Sequence, residues 1–184
     1  MQITAQEALP ILERAGALAF VDIEASNLKA DFGTVVVVSI KPYKQKPTTF
    51  SAGPGRDSRI LREVRDELHK YQCWVTFYGK MFDVPFVNSR LLVNNLPPLD
   101  KRHHIDMYWV IKSRTALSRR NQAHLLSWLG TPEEKMSVSP NVWADMSVKT
   151  PEKLKILCER CESDVTGLEA MYDRCKHLIG EIQR

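Results

Sequence analysis

Two carboxylates interrupt an apolar run near the start of the chain, Phe20-Val21-Asp22-Ile23-Glu24-Ala25. If this run is a β-strand, residues two apart project from the same face, so Asp22 and Glu24 lie side by side. Adjacent anions repel each other, and burial at a strand end disfavours ionisation of both. A divalent cation is the usual compensation, so the run suggests part of a metal site.

Two further carboxylates stand where a folded sheet could bring them to this pair. Asp83 follows an apolar run at the entrance to a predicted helix, where a role as helix N-cap would also explain it. Asp164 lies on the apolar side of the last predicted helix, and charged groups are rarely buried without a partner. Together with Asp22 and Glu24 they form an oxygen-rich set that suits Mg²⁺ or Mn²⁺ better than zinc.

The first part of the chain predicts a helix followed by a β-meander. Thr4 and Glu7 have the spacing of a capping box and precede a helical apolar pattern. Strands are predicted over 18–25, over the β-branched run 34–40, and over 48–51. Consecutive strands joined by short loops favour antiparallel pairing, and a turn is expected at Gly53-Pro54-Gly55.

The rest of the chain alternates helices and strands. The predicted elements are a helix over 58–71, a strand over 73–78, a helix around Pro85–Leu92, a strand over 103–106, a helix from Met107, a helix over 122–129, an irregular segment over 131–149 anchored by Trp143, and a helix from Pro151 to about Ile182. This order predicts an α/β fold with a mixed sheet flanked by helices, in a single domain spanning residues 1–184.

Size and composition are those of an ordinary soluble globular protein. The chain has 184 residues, of which 43% are hydrophobic and 26% are charged. We find neither a long uncharged apolar span nor a basic and apolar leader, so we expect a cytoplasmic protein with no membrane partner.

The net charge of +4 is compatible with a polyanionic partner. Basic residues cluster at Lys41, Lys44 and Lys46, at Lys101 and Arg102, at Lys112 and Arg114, and at Arg119 and Arg120. Solvated surface faces would explain these clusters equally well.

Four cysteines have the pattern of reduced cytosolic thiols, at positions 73, 158, 161 and 175. Cys158 and Cys161 form a single C-x-x-C, and no second such pair supplies the other ligands of a zinc site. We therefore favour cysteines packed within a helix.

Three motifs resemble, in chain order, those of the DEDD exonucleases, the proofreading-type branch of the ribonuclease-H-like fold. The run 20–24 resembles the first motif, D-x-E. The run 76–86 resembles the second, in which a strand and a glycine turn precede Phe-Asp, and 161–165 resembles the third, on the final helix. The stretch from His104 to Gly130 also resembles the segment between the second and third motifs, so the likeness covers nearly the whole chain.

The resemblance implies a ribonuclease-H-like three-layer fold with an antiparallel β-meander followed by parallel strands. It also implies 3′→5′ removal of nucleotides from DNA, with RNA as an alternative, using two Mg²⁺ or Mn²⁺ ions. Asp22 would bridge both metals, Glu24 and Asp164 would hold the metal that activates water, and Asp83 would support the second. The expected partner is nucleic acid with a 3′ end, foremost single-stranded DNA.

The sequence departs from the family pattern in two places. The family carries a general base just before the last Asp, a Tyr four residues earlier or a His five earlier, and these positions hold Arg160 and Glu159. Many members have Asn before the glycine of the second motif, where this chain has Tyr78. Ordinary roles are expected for the histidines at 103, 104 and 124, and a structural role for Asp106, so the base stays unassigned.

Two alternatives stay open. One is an endonucleolytic or structure-selective nuclease on the same fold. The other is a nucleic-acid-binding module with weak or no turnover, which the missing Tyr or His favours. Because no polymerase or helicase motif is present, processive action would require a partner protein from replication or repair.

Overall fold

The computed structural model describes residues 4–52, 57–143, 150–180 and 182. The turn expected at 53–55, the second part of the segment predicted to be irregular, and the side chain of Trp143 lie outside what it describes. None of the helices within the described ranges is long and apolar enough to cross a membrane.

A five-stranded mixed sheet is flanked by helices on both faces, which confirms the predicted fold. The elements are α1 (Ala5–Arg14), β1 (Leu18–Ala25), β2 (Val35–Pro42), β3 (Thr48–Ser51), α2 (Ser58–Leu68), β4 (Cys73–Thr76), α3 (Asp83–Val93), β5 (His103–Asp106), α4 (Met107–Arg114), α5 (Gln122–Leu129), α6 (Pro140–Trp143) and α7 (Pro151–Cys175). The strand order is β3-β2-β1-β4-β5, so the first three strands form the expected meander.

Strand β1 is central, and its two neighbours cover different parts of it. It pairs antiparallel with β2 along almost its full length, with Asp22 opposite Ser39. Its parallel pairing with β4 runs only from Leu18 to Phe20. Beyond Phe20 the backbone of β1 therefore has no strand partner on the β4 side, and the acidic run lies in this unpaired half.

The two sides of the sheet bury separate apolar clusters. Leu18 and Phe20 of β1 pack with residues of α1, α4, α5 and α7. Ala19, Val21 and Ile23 point the other way and pack with α2 and α3. This alternation follows from the twofold period of a strand. It places α7 over the face of β1 that carries Leu18 and Phe20.

The predicted helix signals are present, with three corrections. Helix α2 ends at Leu68 rather than at Tyr71, and the short helix α6 lies in the segment predicted to be irregular. The Thr4 and Glu7 capping box forms in both directions at the start of α1. Helix α7 ends at Cys175 rather than near Ile182, because the chain tightens into a 3₁₀ turn over Lys176–Leu178. The Gln6 side chain donates to backbone carbonyls of this turn, which stabilises the exit from the helix.

Two ion pairs fasten α7 to the end of β2 and the loop that follows it. Lys41 is buried, and its Nζ lies 2.6 Å from Oε2 of Glu169. Glu169 also accepts a hydrogen bond from the backbone N–H of Lys44, whose side chain pairs with Asp173. Lys41 and Lys44 of this basic cluster therefore have internal partners that stabilise the fold.

A second buried ion pair joins the opposite layer to the sheet. Asp57, which is fully buried, accepts hydrogen bonds from the Arg90 guanidinium at 2.8 and 3.1 Å and from the backbone N–H of Val35 at 3.0 Å. Burial alone would raise the pKa of this carboxyl, but the hydrogen bonds from Arg90 and Val35 hold it below its ordinary value. One side chain thus connects α3 to the beginning of β2.

We predict that Asp57→Ala lowers the free energy of unfolding by about 3–5 kcal/mol, because it leaves the largely buried Arg90 guanidinium without its carboxylate partner. Urea denaturation monitored by circular dichroism measures the change. Asp66→Asn, at a side chain that is 68% exposed, is the matched control and should stay within about 0.5 kcal/mol of wild type. Equal stabilities of the two variants would contradict a structural role for the buried pair.

Candidate metal centre

The face of β1 that meets α7 carries the two carboxylates of the acidic run. Asp22 and Glu24 continue the alternation set by Leu18 and Phe20, so their side chains point toward α7. The Glu24 side chain is buried and that of Asp22 is half-buried. The regular pairing of β1 with β2 also breaks between Glu24 and Ala25, which ends the strand just beyond the acidic pair.

Helix α7 brings the third carboxylate to this pair. Asp164 belongs to the buried stripe of α7, together with Cys161 and Val165. One carboxylate oxygen from each of Asp22, Glu24 and Asp164 lies within 4.8 Å of the others. Asp164 is only 3% exposed, and its Oδ1 has no hydrogen-bond partner among the described residues. A buried oxygen in this condition is costly unless a cation or another donor reaches it.

Asp83 lies next to this group without belonging to it. It is the first residue of α3, and its Oδ1 accepts a hydrogen bond from the backbone N–H of Ile23 at 3.1 Å. The helix N-cap is Phe82, so Asp83 is the first residue inside α3, and its carboxylate binds the buried backbone of β1 as well as its own N–H. This contact is possible because β4 stops pairing with β1 before Ile23. The structure therefore places Asp83 beside the backbone that joins Asp22 to Glu24.

Two cationic side chains contact the carboxylate group directly. Arg160 Nε lies 2.6 Å from Oε1 of Glu24, and Lys135 Nζ lies 2.5 Å from Oδ2 of Asp164. Arg160 occupies the position where a Tyr base was expected from the resemblance. The other such position, Glu159, is exposed and faces Lys155 one helical turn away. Neither position places a Tyr or His general base beside the carboxylates.

Lys135 is the residue that the sequence analysis missed. It lies in an irregular segment, where no helical or strand periodicity indicates the direction of a side chain. The buried Gln122 positions it, since Gln122 Oε1 lies 3.3 Å from Lys135 Nζ and Gln122 Nε2 donates to the carbonyl of Asp164 at 2.7 Å. No pattern in the sequence indicates this contact, because it depends on the folded arrangement of distant segments.

Burial and mutual repulsion make full ionisation of these carboxylates unfavourable. Burial, followed by the charges of Asp83 and Asp164, raises the pKa of Asp22 well above its ordinary value. Burial raises the pKa of Glu24 to about 7 in spite of Arg160. Burial also raises the pKa of Asp83 to about 7. The site thus has a deficit of positive charge that a divalent cation would fill.

Cysteines pack against the site without forming a ligand set of their own. Cys161 Sγ lies 3.3 Å from the backbone oxygen of Asp22 and 3.5 Å from its Oδ2. Burial and the neighbouring Asp22 carboxylate raise the pKa of this thiol well above its ordinary value, so it stays protonated. Cys158 is half-buried, and all four cysteines are free. The group with metal-ligand spacing found in the described ranges contains carboxylates alone.

A tight turn between β4 and α3 carries Asp83 into place. Asp106 accepts backbone hydrogen bonds from Tyr78 at 2.8 Å and from Lys80 at 3.0 Å, and its side chain is almost fully buried. Gly79 is required at this turn, because a Cβ there would lie 2.5 Å from the Thr76 side chain. The contacts of Asp106 are therefore structural, because its carboxylate stabilises the turn.

Tyr78 adopts a backbone conformation that is unusual for its residue type. Its φ of 65° is in the left-handed region, which Asn tolerates more readily than Tyr. The hydrogen bond to Asp106 and packing of the Tyr78 ring against Tyr108 stabilise this conformation. The departure from the family pattern at this position thus retains the backbone geometry that Asn would favour.

The comparison with known families agrees with this architecture. A family model described as the RNase H superfamily matches residues 19–176, which include all four predicted carboxylates. The protein therefore belongs to the RNase H superfamily and has the fold of a nuclease-type enzyme. A search of the curated proteins finds no match.

Solved structures with low sequence identity share the fold. The family B DNA polymerase of the hyperthermophilic archaeon Pyrobaculum calidifontis matches with a TM-score of 0.67 and 17% identity, over 85% of this chain and 24% of the polymerase. A structure described as the apo form of the nuclease matches with a TM-score of 0.61 and 16% identity, over 91% of this chain and 75% of the other. Brucella melitensis NrnC bound to pGG matches with a TM-score of 0.57 and 13% identity, over 88% of this chain and 74% of the other.

We predict that Glu24→Gln becomes more stable relative to wild type as the pH rises from about 5 to about 8 in EDTA. Burial raises the pKa of Glu24 from 4.5 to about 7, so the folded protein binds this proton more tightly than the unfolded chain. The stabilising contribution of the group is complete below pH 4.5 and is lost as the pH rises through about 7. Glu24→Gln has no ionisable group at this position, so its stability does not decrease in this way as the pH rises.

Urea denaturation of both proteins across this range measures the difference in free energy of unfolding. Glu63→Gln, at a side chain that is 54% exposed, serves as the control and should track wild type at every pH. A difference between Glu24→Gln and wild type that does not change with pH would contradict the raised pKa.

Proposed function

We propose that the protein is a metal-dependent 3′→5′ exonuclease that hydrolyses phosphodiester bonds of DNA, with RNA as a second substrate. The observation that carries this proposal is the group of Asp22, Glu24 and Asp164, whose oxygens lie within 4.8 Å of one another in a chain of the RNase H superfamily. The names of the structural neighbours, a DNA polymerase, a nuclease and NrnC bound to pGG, support a nucleic-acid substrate. The proposed exonuclease domain spans residues 1–184.

We propose that these carboxylates hold two Mg²⁺ or Mn²⁺ ions, with Asp83 supporting the second ion. The donor set fits such ions, because it consists of carboxylate oxygens and includes the unpartnered, buried Oδ1 of Asp164. When bound, ions of this kind stabilise developing charge on phosphate and lower the pKa of bound water. Asp83 would act mainly by fixing the backbone between Asp22 and Glu24, through its contact with Ile23.

Arg160 affects the rate that we expect of this enzyme. A guanidinium stays protonated and has donors only, so Arg160 cannot accept a proton from water. It orients Glu24 through the 2.6 Å contact instead. Since a general base typically contributes about 10²–10⁴-fold, we expect turnover slower than that of an enzyme with Tyr or His at this position.

We predict that wild type in Mg²⁺ or Mn²⁺ shortens 5′-labelled single-stranded DNA stepwise, and that Asp22→Asn and Asp164→Asn reduce the rate at least about 100-fold. Losses of this size are typical when one preorganised charged group is removed from an active site. Gel electrophoresis of 5′-labelled and 3′-labelled DNA and RNA, with and without metal, measures rate, polarity and substrate together.

The control is Asp66→Asn, whose exposed side chain lies on α2 and should leave activity unchanged. A circular single-stranded DNA distinguishes the endonuclease alternative, since an exonuclease leaves it intact. Full activity of Asp22→Asn, or linearised circles, would overturn the proposal.

We predict that Arg160→Gln binds Mn²⁺ about tenfold more tightly than wild type, as measured by isothermal titration calorimetry. A hydrogen bond to a charged group contributes about 1.5–3 kcal/mol, and a metal ion that uses Glu24 competes with this interaction. The change should be absent in Lys155→Gln, at a lysine that is 78% exposed on the same helix. Weaker binding in Arg160→Gln would instead mean that Arg160 prepares Glu24 for the metal.

One second function has a specific observation in its favour. The contacts of Arg160 with Glu24 and of Lys135 with Asp164 compensate the carboxylates internally, as expected of a nucleic-acid-binding module that has lost turnover. Such a module would bind single-stranded DNA with strong salt dependence and would hydrolyse none of it in Mg²⁺ or Mn²⁺. The assays above distinguish this outcome from a slow nuclease.

A further inference from the structure

An aromatic patch lies beside the turn that carries Asp83. The patch consists of Tyr78, Tyr108 and Trp109, and the rings of Tyr78 and Trp109 are stacked with centroids 6.3 Å apart and an interplanar angle of 27°. Tyr78 is 42% exposed and Trp109 is 38% exposed. Lys112 Nζ lies 4.5 Å from the centroid of the Trp109 ring. Large aromatic rings therefore reach the surface next to a cation.

A cavity of about 350 Å³ adjoins this patch. It lies between β5, α4 and the segment that follows α7, and its lining includes Trp109, Ser113, Arg114, Lys80 and His104. Its volume falls within the range of about 300–1,000 Å³ typical of small-molecule sites. An aromatic ring, two cationic side chains and a hydroxyl in one cavity have the chemistry that a nucleotide requires.

The acidic residue of this lining offsets one of its two positive charges and leaves a net positive charge. Asp106 lines the cavity, and its carboxylate is held in place by three backbone hydrogen bonds, from Tyr78, Lys80 and Tyr108. Burial lowers the pKa of His104 to about 4, and its Nε2 lies 2.8 Å from Thr76 Oγ1, so His104 is neutral and can offer a polar contact. The cavity is therefore suited to an anionic ligand.

The turn joins this cavity to the metal centre. Asp106 binds the backbone at Tyr78 and Lys80, and three residues further on Asp83 binds the backbone of Ile23. The cavity and the carboxylates therefore lie on two sides of one short turn.

We propose that this cavity binds one unpaired nucleotide of a single-stranded nucleic acid. The base stacks on Trp109 beside Tyr78, and the phosphate contacts Lys80 and Arg114. Stacking on aromatic side chains accepts every base, and the cations track the backbone, so the site favours single strands without strong sequence preference. The inference deepens the proposed function, on which it rests for the identity of the ligand.

The unusual backbone of Tyr78 supports this assignment. A left-handed φ is unfavourable for a bulky residue, and Asn or Gly would adopt it at lower cost. The chain nevertheless places there an aromatic ring that is 42% exposed and stacked on Trp109. A stacking surface for bases explains why a large ring stands at this position.

Fluorescence anisotropy of a 5′-labelled oligo(dT), titrated in EDTA so that hydrolysis does not interfere, tests the inference. We expect Trp109→Ala to weaken binding about tenfold, the scale of one lost base–aromatic stack. Trp109→Phe retains a stacking ring and should stay within about threefold of wild type. Trp128→Ala removes a tryptophan that is 54% exposed on α5 and should leave binding unchanged.

Salt dependence provides a second measurement that does not depend on the tryptophan variant folding. Lys80→Gln keeps the backbone contact with Asp106 and should reduce the slope of log affinity against log salt by about 0.7, the value for one phosphate contact on a single strand. Lys70→Gln, at a lysine that is 64% exposed, should keep the wild-type slope. An unchanged slope in Lys80→Gln, or equal affinities of Trp109→Ala and Trp128→Ala, would overturn the inference.

The two proposals fail in different ways. If the protein binds oligo(dT) through Trp109 but hydrolyses nothing in Mg²⁺ or Mn²⁺, the nucleotide site is supported and the exonuclease proposal is overturned. If the protein digests DNA from its 3′ end but Trp109→Ala binds oligo(dT) like wild type, the exonuclease proposal is supported and the nucleotide site is overturned. Wild type that fails to bind oligo(dT) overturns the nucleotide site.

Discussion

The crowding of carboxylates on one face of β1 is the constraint on which the rest of the structure depends. Asp22, Glu24 and Asp164 place oxygens within 4.8 Å of one another at a site that is largely buried. Such an arrangement is unfavourable in a folded protein, because each charge loses water and repels the others. The structure tolerates this cost through an ordered set of neighbours, which is typical of a site selected for function at the expense of stability.

Two of these neighbours are cations, and their charges affect how many metal ions the site would bind. Arg160 and Lys135 already neutralise half of the formal charge of the four carboxylates at positions 22, 24, 83 and 164. The remaining charge equals that of one divalent ion, whereas the resemblance to DEDD exonucleases implies two. An ion that binds the Glu24 or Asp164 oxygens would compete with the contacts of Arg160 and Lys135. Displaceable internal cations would link metal affinity to the conformation of the irregular segment that carries Lys135.

Sequence periodicity was sufficient to find most of the carboxylates but not their partners. The i and i+2 spacing on β1 placed Asp22 and Glu24 on one face, and the apolar stripe of the last helix gave the direction of Asp164. These are local patterns that the backbone determines. The register of β4 against β1, which leaves the Ile23 N–H for Asp83, is a long-range property. The N-cap role considered for Asp83 was wrong, because α3 begins at Asp83 and its N-cap is Phe82.

Charged residues were the least predictable part of the sequence. Lys41 was grouped with surface lysines, yet it is buried against Glu169. A lysine side chain has the same local sequence signature whether it faces solvent or a buried acid, and the difference depends on which element packs over it. The assignment of residues 1–184 to one domain and the roles of the four carboxylates remain predictions.

The pair of Lys41 and Glu169 has a consequence for the site itself. Glu169 lies five residues after Asp164 on α7, and its contacts with Lys41 and with the backbone of Lys44 fix the rotation of the helix against β2. An α-helix advances 3.6 residues per turn, so a small rotation would carry Asp164 away from β1. Catalytic side chains require positioning within about 0.5 Å by elements that are themselves held in place. The buried lysine, outside the carboxylate group, thus maintains the geometry on which that group depends.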